Sequence, residues 1–487
     1  MSGRSSFVVE DQSRAVAVIE RTLKPDRRIE THGAMVFLAG DRAYKMKRAV
    51  RFPYMDFSTV ELRHAMCTAE IDINARLAPE IYLGVEPVHE GGRKDAPVID
   101  WLVVMRRFDD GNLFDRMAER GALTGDLMGA LGARVASFHA GLPPVRAEFG
   151  TPESYEHSIA ADIRQMREHG ATLLPDVSEA LAEAMPRSLA PHRDLVARRR
   201  ADGWVRRCHG DLHLRNIVML EGKPVPFDAI EFSPRIAIID VLYDLAFTLM
   251  DLCHRGLRRL ANRLLNEWLW RMPGDHEEAL ALLPMFLGRR AAIRAYVDAA
   301  NAAIHDTIDE RARAYQRTAL ELMQPAPPVL WAIGGLSGSG KTTLALKEAP
   351  AIGCNPGAVV VRSDVERKRL AGLALEERMP AGSYTPEASA QVYAAMLERA
   401  GRLLRAGHSV VLDAVFARPE EREAAEALGK GLAVPFHGLW LDIPKEVAQA
   451  RVAGRRGDAS DATPAVVERQ FGYALGEIAW ERRPSGS

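Results

Sequence analysis

A short apolar run, Val329–Leu330–Trp331–Ala332–Ile333, leads into Gly335–Leu336–Ser337–Gly338–Ser339–Gly340–Lys341–Thr342, which has the form GxxxxGK[ST]. The run predicts a buried strand. The glycines let the backbone turn tightly and aim its N–H groups inward. A helical pattern opens at Thr342–Thr343, so the positive end of a helix faces the same point. Strand, loop and helix in this order make a cradle for a polyphosphate. In such a cradle Lys341 reaches the β and γ phosphates and Thr342 offers its hydroxyl to magnesium. The chain has only ten lysines against 54 arginines, so a compact ammonium at this position carries more information than usual.

Downstream of this loop, strand and helix alternate. Strand-like runs fall at 358–362, 409–412 and 436–441, with helical patterns between them and at 444–453. That alternation predicts an α/β domain with a parallel sheet, whose ligands sit beyond the carboxyl ends of its strands. Two such ends carry acids: Asp364 after Val359–Arg362, and Asp413 after Val410–Leu412. One carboxylate can activate an acceptor hydroxyl and the other can hold magnesium. Arg367, Arg418 and Arg422 are candidates for substrate or phosphate. Arg451, Arg455 and Arg456 stand in RVAGRRGDASDATP, which reads as a mobile lid whose arginines stabilise transition-state charge. Surface ion pairing is the competing reading for each arginine.

Gln324–Pro325–Ala326–Pro327–Pro328 stops the preceding helix. The expected organisation is therefore a domain over 1–324, a proline-rich linker over 325–328 and a P-loop domain over 329–487. The first part reads as a small mixed lobe followed by a larger helical one. Helical patterns span 10–24 and 58–77, strands lie within 34–50 and at 101–105, and helices dominate 122–200 and 241–323. Between those helical stretches lies His209–Gly210–Asp211–Leu212–His213–Leu214–Arg215–Asn216, of the form HGDxxxxN. Phe227–Asp228–Ala229–Ile230–Glu231 comes after it. Phosphoryl transfer needs a carboxylate at the acceptor hydroxyl, and an amide oxygen with a second carboxylate on magnesium. Asp211, Asn216 and Asp228 supply those groups. His209 and His213 read as orienting the loop.

These motifs carry two resemblances. Residues 329–487 resemble small P-loop kinases, an AAA-type group that includes gluconate kinases, zeta toxins, chloramphenicol phosphotransferases and polynucleotide kinases. In that resemblance Ser363–Asp364…Arg367 is the acceptor-activating segment and Asp364 the base. The HGDxxxxN loop resembles the aminoglycoside phosphotransferase and choline kinase branch of the protein-kinase-like fold, over roughly 30–320. That resemblance implies Asp211 as catalytic base, Asn216 and Asp228 as magnesium ligands, Glu231 as a second acid, and Asp244 of the DLA segment as structural. It also implies an N-lobe strand lysine paired with a helix glutamate. Ala43–Tyr44–Lys45–Met46–Lys47 provides Lys45, with Lys47 as the alternative on the same face, and Glu70 is the partner. Val103–Val104–Met105–Arg106 is similar to the hinge strand whose backbone binds adenine. Thr31–His32–Gly33–Ala34, with a single glycine, stands where a glycine-rich loop is usual. Together the halves resemble bacterial proteins described as bifunctional aminoglycoside phosphotransferase and ATP-binding proteins. The expected fold is an α+β protein-kinase-like domain followed by an α/β P-loop NTPase domain.

The formal charge is −1, with 64 basic and 65 acidic residues, so no global basic excess points to nucleic acid or anionic lipid. The opening stretch carries acids early and no secretory leader is expected; no apolar run reaches membrane-spanning length. Four scattered cysteines without a CxxC pair fit a reduced cytoplasm. The expectation is a cytoplasmic kinase using ATP and Mg2+ on a hydroxyl of a small molecule. Two alternatives stay open: an N-terminal metabolite-sensing pseudokinase that regulates the P-loop half, and a polynucleotide-end kinase. No feature of the sequence sets an oligomeric state or names the acceptor.

Overall fold

The computed structural model describes residues 7–31, 33–52, 55–304, 310–380, 383–454 and 460–486. Its contacts divide into two compact units. One comprises Met1–Leu123, Gly141–Thr151 and Arg199–Thr248; the other comprises Thr124–Ala140, Pro152–Arg198 and Leu249–Ser487.

The first unit opens with helix α1 (Ser13–Leu23) and strands β1 (Arg27–Glu30), β2 (Ala34–Ala39) and β3 (Arg42–Lys47). A short hairpin, β4 (Arg51–Phe52) and β5 (Met55–Asp56), leads to helix α2 (Val60–Asn74), then β6 (Tyr82–His89) and β7 (Val98–Arg106). The main sheet is antiparallel in the order β1-β2-β3-β7-β6. Strand alternation sorts β3 into two faces. Tyr44 and Met46 join Ala15, Val18 and Ile19 of α1 in one core cluster, which leaves Lys45 and Lys47 on the other face. Helix α2 starts at Thr59, whose side chain accepts the Leu62 amide. Its buried residues are Arg63, Cys67, Glu70 and Asn74, one stripe at helical spacing. After α3 (Phe114–Glu119), which also belongs to this unit, come α4 (Gly125–Gly141), α5 (Pro152–Glu168), α6 (Pro175–Leu189) and α7 (Arg193–Ala201). The chain then forms β8 (Val205–Arg207), β9 (Ile217–Leu220), β10 (Lys223–Pro226), the short α8 (Pro234–Ala237), β11 (Ile238–Asp240) and α9 (Val241–His254). Strands β9 and β10 form a hairpin whose turn residues Glu221 and Gly222 both have positive φ, the conformation such a turn demands.

The helices α10 (Arg258–Arg271), α11 (Leu283–Ile304) and α12 (Glu310–Leu322) precede the proline-rich segment and pack in the second unit. Beyond it lie β12 (Leu330–Gly334), α13 (Lys341–Glu348), β13 (Val359–Arg362), α14 (Ser363–Leu370), α15 (Pro386–Arg405) and β14 (Val410–Asp413). The chain continues through α16 (Pro419–Gly431), β15 (Phe436–Asp442), α17 (Lys445–Ala453), α18 (Pro464–Phe471) and β16 (Glu481–Pro484). The sheet is five-stranded and wholly parallel, in the order β13-β14-β12-β15-β16. Ile333, Val360, Val411, Leu439 and Leu441 form its core with Leu344 and Ala345 of α13. Strand β16 has no apolar run and was not legible in the sequence; it pairs along β15 at the sheet's edge. Among the described residues, no helix is long and apolar enough to cross a membrane, and the four cysteines are unpaired with one another.

Candidate functional sites

In the first unit, Lys45 Nζ donates to Glu70 Oε1 at 2.9 Å and to Asp228 Oδ1 at 2.6 Å. Lys47, deeper and 2% exposed, bridges the other oxygen of Glu70 to Glu231. The two lysines left open by strand alternation thus have different surroundings. Both line a cavity of about 370 Å³, but Lys45 meets the partly exposed Asp228 there, while Lys47 ties two buried carboxylates together. Asp211, Asp228, Tyr82 and Met105 also line this cavity, and Ile29, Val36, Leu38, Ala43, Phe108 and Phe227 give it apolar walls. Of the stretch expected over the phosphates, Thr31, Gly33 and Ala34 line it; His32 lies outside the described residues.

The local structure explains how these groups meet. Asn74, four residues after Glu70, accepts the Ala229 amide at 2.9 Å, so α2 is fastened to the segment that presents Asp228. Asp228 itself is a non-glycine residue in the left-handed region, with φ of 62°, a strained conformation of the kind concentrated at functional positions. Its amide donates to Tyr82 Oη at 3.0 Å. Asn216 donates its side-chain amide to both the carbonyl and Oδ2 of Asp211, each at 3.0 Å. His213 Nε2 lies 3.3 Å from the same Oδ2. His209 bonds the Phe227 carbonyl at 2.8 Å, and Asp244 accepts the amides of His209 and Gly210. The loop is therefore held by the Phe227 carbonyl on one side and the Asp244 carboxylate on the other.

The charges respond to this packing. Enclosure pushes the Asp228 carboxyl up, but the Lys45 ammonium outweighs it and the group ends below its usual range. Burial likewise works against Glu70, and its two lysines bring it down. Glu231 goes the other way: burial raises it, Lys47 opposes, and the Glu70 charge adds to the rise. Lys45 stays firmly protonated, because Asp228 and Glu70 overcome its desolvation.

In the second unit, Gly335, Gly338 and Gly340 have φ of 143°, 86° and 89°. A Cβ on Gly338 would sit 2.6 Å from the Ala448 carbonyl and one on Gly335 2.8 Å from that of Leu441, so other residues are excluded by both conformation and space. Lys341 Nζ folds back to the Leu336 carbonyl at 3.1 Å. The Ser337 amide donates to Gln470 Oε1. Ser339 Oγ is buried without a hydrogen-bond partner among the described residues. Thr342 Oγ1 donates to Asp413 Oδ2 at 2.6 Å, bringing together two groups assigned to magnesium from the sequence. Thr343, one residue further along α13, is exposed. Burial raises the Asp413 carboxyl; Arg362 and Lys341 oppose this, and the Asp364 charge reinforces it. Asp364 opens α14 beside Tyr384, whose hydroxyl is pushed up to about 12 by burial and by the charges of Asp364 and Asp461. The Arg367 guanidinium lies 4.7 Å from the Tyr384 ring centroid.

The arginines separate. Arg451 lies in the last turn of α17 rather than in a loop, because Ala448 and Val452 bury that helix's apolar face. Its guanidinium reaches the Gly338 carbonyl at 3.4 Å and Ser485 Oγ. Arg455 and Arg456 lie outside the described residues. Arg422 donates to the carbonyls of Phe416, Ala417, Leu475 and Glu477, so its donors serve the backbone rather than a phosphate. Arg418 is exposed at the start of α16.

Sequence reasoning missed Tyr82, Tyr384 and the apolar cavity walls. A tyrosine opening a strand and scattered apolar residues carry no motif.

Two phosphate-type sites on two kinase folds define the class: the chain is a kinase-like protein with two different kinase-like domains. Residues 61–283 match the phosphotransferase enzyme family and residues 330–474 match the AAA domain family. An uncharacterized protein of Mycobacterium tuberculosis strain H37Rv is 30% identical over 456 residues, covering 89% of this chain and 87% of the relative. An uncharacterized protein of Mycobacterium bovis matches to the same extent. The chain belongs to the family of these mycobacterial proteins. Among solved structures, an amicoumacin kinase in complex with AMP-PNP is similar over 64% of this chain and 93% of its own, at 13% identity and a TM-score of 0.42. A gluconokinase from Sinorhizobium meliloti is similar over 34% of this chain and 86% of its own, at 18% identity and a TM-score of 0.24.

Proposed function

We propose that both halves are ATP- and Mg2+-dependent phosphotransferases, each passing the γ-phosphoryl group to a hydroxyl of a small molecule. The observation that carries this reading is Lys45, held between Glu70 and Asp228 on the wall of a cavity that Asp211 also lines. A sensor that had lost catalysis has no need to keep an ammonium, a metal-type carboxylate and a base-type carboxylate around one space. Both donor sets fit a hard divalent cation, which takes oxygen ligands: Asn216 with Asp228, and Thr342 with Asp413. A cation held at these oxygens would supply positive charge to offset that of the phosphates.

In the first site, Asp211 takes the acceptor's hydroxyl proton, with Asn216 and His213 fixing its Oδ2. Lys45 steers the phosphates, and Glu70 keeps its ammonium in place. The apolar walls at Ile29, Val36 and Phe227 exclude water from a flat base, with Met105 lining the same cavity. In the second site, the glycine turn and Lys341 hold the phosphates, Asp364 takes the proton, and Arg451 stands beside Gly338 to meet developing charge. The near-neutral composition favours a small metabolite over a polynucleotide end. Residues 151–200 are not conspicuously acidic, so a polycationic antibiotic is a poor match for the acceptor.

The test is a metabolite-pool phosphorylation screen with labelled ATP, run on wild type, Asp211→Asn, Lys341→Ala and the double variant. Each single variant is expected to lose its own labelled product, and the double variant to lose all. Labelling that survives in the double variant would refute the proposal.

A further inference from the structure

Strand β13 is the outer strand of the parallel sheet on one side, and among the described residues its one strand neighbour is β14. An outer strand presents unpaired backbone groups. Here α10 satisfies them with side chains four residues apart, on one helical face. Asn262 donates to the Ala358 carbonyl at 2.9 Å, Asn266 accepts the Val360 amide at 2.6 Å, and Trp270 Nε1 donates to the Val360 carbonyl at 2.9 Å. Both asparagines are fully buried, and Trp270 enters the sheet's own core beside Ile333 and Val411. Helix α10 lies within the residues matched to the phosphotransferase family, while β13 lies within those matched to the AAA domain.

The contact continues toward the phosphate loop. The guanidinium of Arg362, the last residue of β13, lies 5.2 Å from the Trp270 ring centroid. Its Nε is 3.6 Å from Asp413 Oδ2, the same oxygen that accepts from Thr342. Arg362 is 6% exposed and Asp413 4%, so water does little to screen the pair.

We infer that Trp270 is a positioning residue of the P-loop site: it sets the Arg362 guanidinium against Asp413 and so holds that carboxylate in place, aimed at Thr342. The inference rests on the reading of this loop as a nucleotide site. It makes a helix of the first half a working part of the second half's cation site, and the two activities inseparable by a cut at the proline-rich segment.

The test uses the full chain and measures binding rather than turnover. A fluorescent ADP is titrated with and without Mg2+, and the P-loop component is defined as the binding that Lys341→Ala removes. Trp270→Leu is expected to shrink the Mg2+-dependent gain in ADP affinity about tenfold, the scale of losing one close charge partner, while binding without Mg2+ stays near wild type. Trp270→Phe keeps an aromatic face over Arg362 and should retain most of the gain, although it loses the bond to Val360. Arg362→Gln leaves the indole in place and should match Trp270→Leu. A wild-type Mg2+ gain in Arg362→Gln would overturn the inference, whether or not Trp270→Leu folds. Equal losses in Trp270→Phe and Trp270→Leu, tracking their melting temperatures, would reduce Trp270 to a packing role and overturn it too. If Lys341→Ala removes no binding at all, the nucleotide reading itself falls and takes the inference with it.

Discussion

Replacing Lys47 with methionine keeps the side chain's length and removes its charge. The ammonium stands between Glu70 and Glu231, whose side chains are 0% and 5% exposed. With every group ionised, the cluster of Lys45, Lys47, Glu70, Asp228 and Glu231 holds two positive and three negative charges. Lys47→Met leaves one positive against three negative. Taking one partner from a buried ion pair costs about 3–5 kcal/mol. For a unit of this size that corresponds to a melting transition lower by about 6–20 °C. Burial already raises the Glu231 carboxyl, with Lys47 opposing, so the substitution raises it further. A carboxyl with a raised folded pKa is stabilising below its unfolded value, and that stability is lost as pH rises through the folded value. The Lys47→Met deficit should therefore be largest at pH 8 and shrink toward pH 5. Scanning calorimetry of the full chain at both pH values, resolving separate transitions, reads this directly. Lys45→Met is the control: its ammonium faces the cavity and Asp228 is 43% exposed, so it should cost less stability and more nucleotide affinity. A Lys47→Met transition within about 2 °C of wild type at pH 8 would refute the reasoning, as would a deficit that deepens on acidification.

Burial holds the His209 imidazole below its ordinary value. The unfolded chain then takes up a proton first on acidification, so stability is full above about pH 6.5 and declines below it, by at most about 1.4 kcal/mol per pH unit from this group. His209→Gln should flatten that decline in urea unfolding between pH 6.5 and 5; parallel curves for the two proteins would contradict a neutral buried ring. Arg422→Ala removes donors to four carbonyls and should lower stability by about 2–4 kcal/mol while nucleotide binding persists. Lost binding with unchanged melting would instead return Arg422 to the phosphate site.

The parts legible in the sequence are those whose partners are close along the chain. Asp211 and Asn216 are five residues apart and bonded to each other, and the phosphate loop is one continuous octapeptide. The strand alternation that placed Lys45 also placed Lys47, and no local rule separates them. The separation comes from Glu231 and Asp228, over 180 residues away. Helix α10 shows the same limit. Asn262, Asn266 and Trp270 read as an ordinary helical stripe, and their partners on and beside β13 are 90 or more residues distant. Strand β16, Glu481–Arg482–Arg483–Pro484, has no apolar signature because it closes an exposed border, where pairing depends on the neighbouring strand.

The order in which the polypeptide is made gives the α10–β13 contact a further consequence. Trp270 leaves the ribosome 90 residues ahead of Val360, which at about 5–20 residues per second is a delay of roughly 5–20 seconds. Throughout that interval the indole and two amide side chains have no backbone to rest on. The nascent chain thus carries a sticky helix face during translation, and a ribosome stalled before residue 360 would release a product with that face still bare.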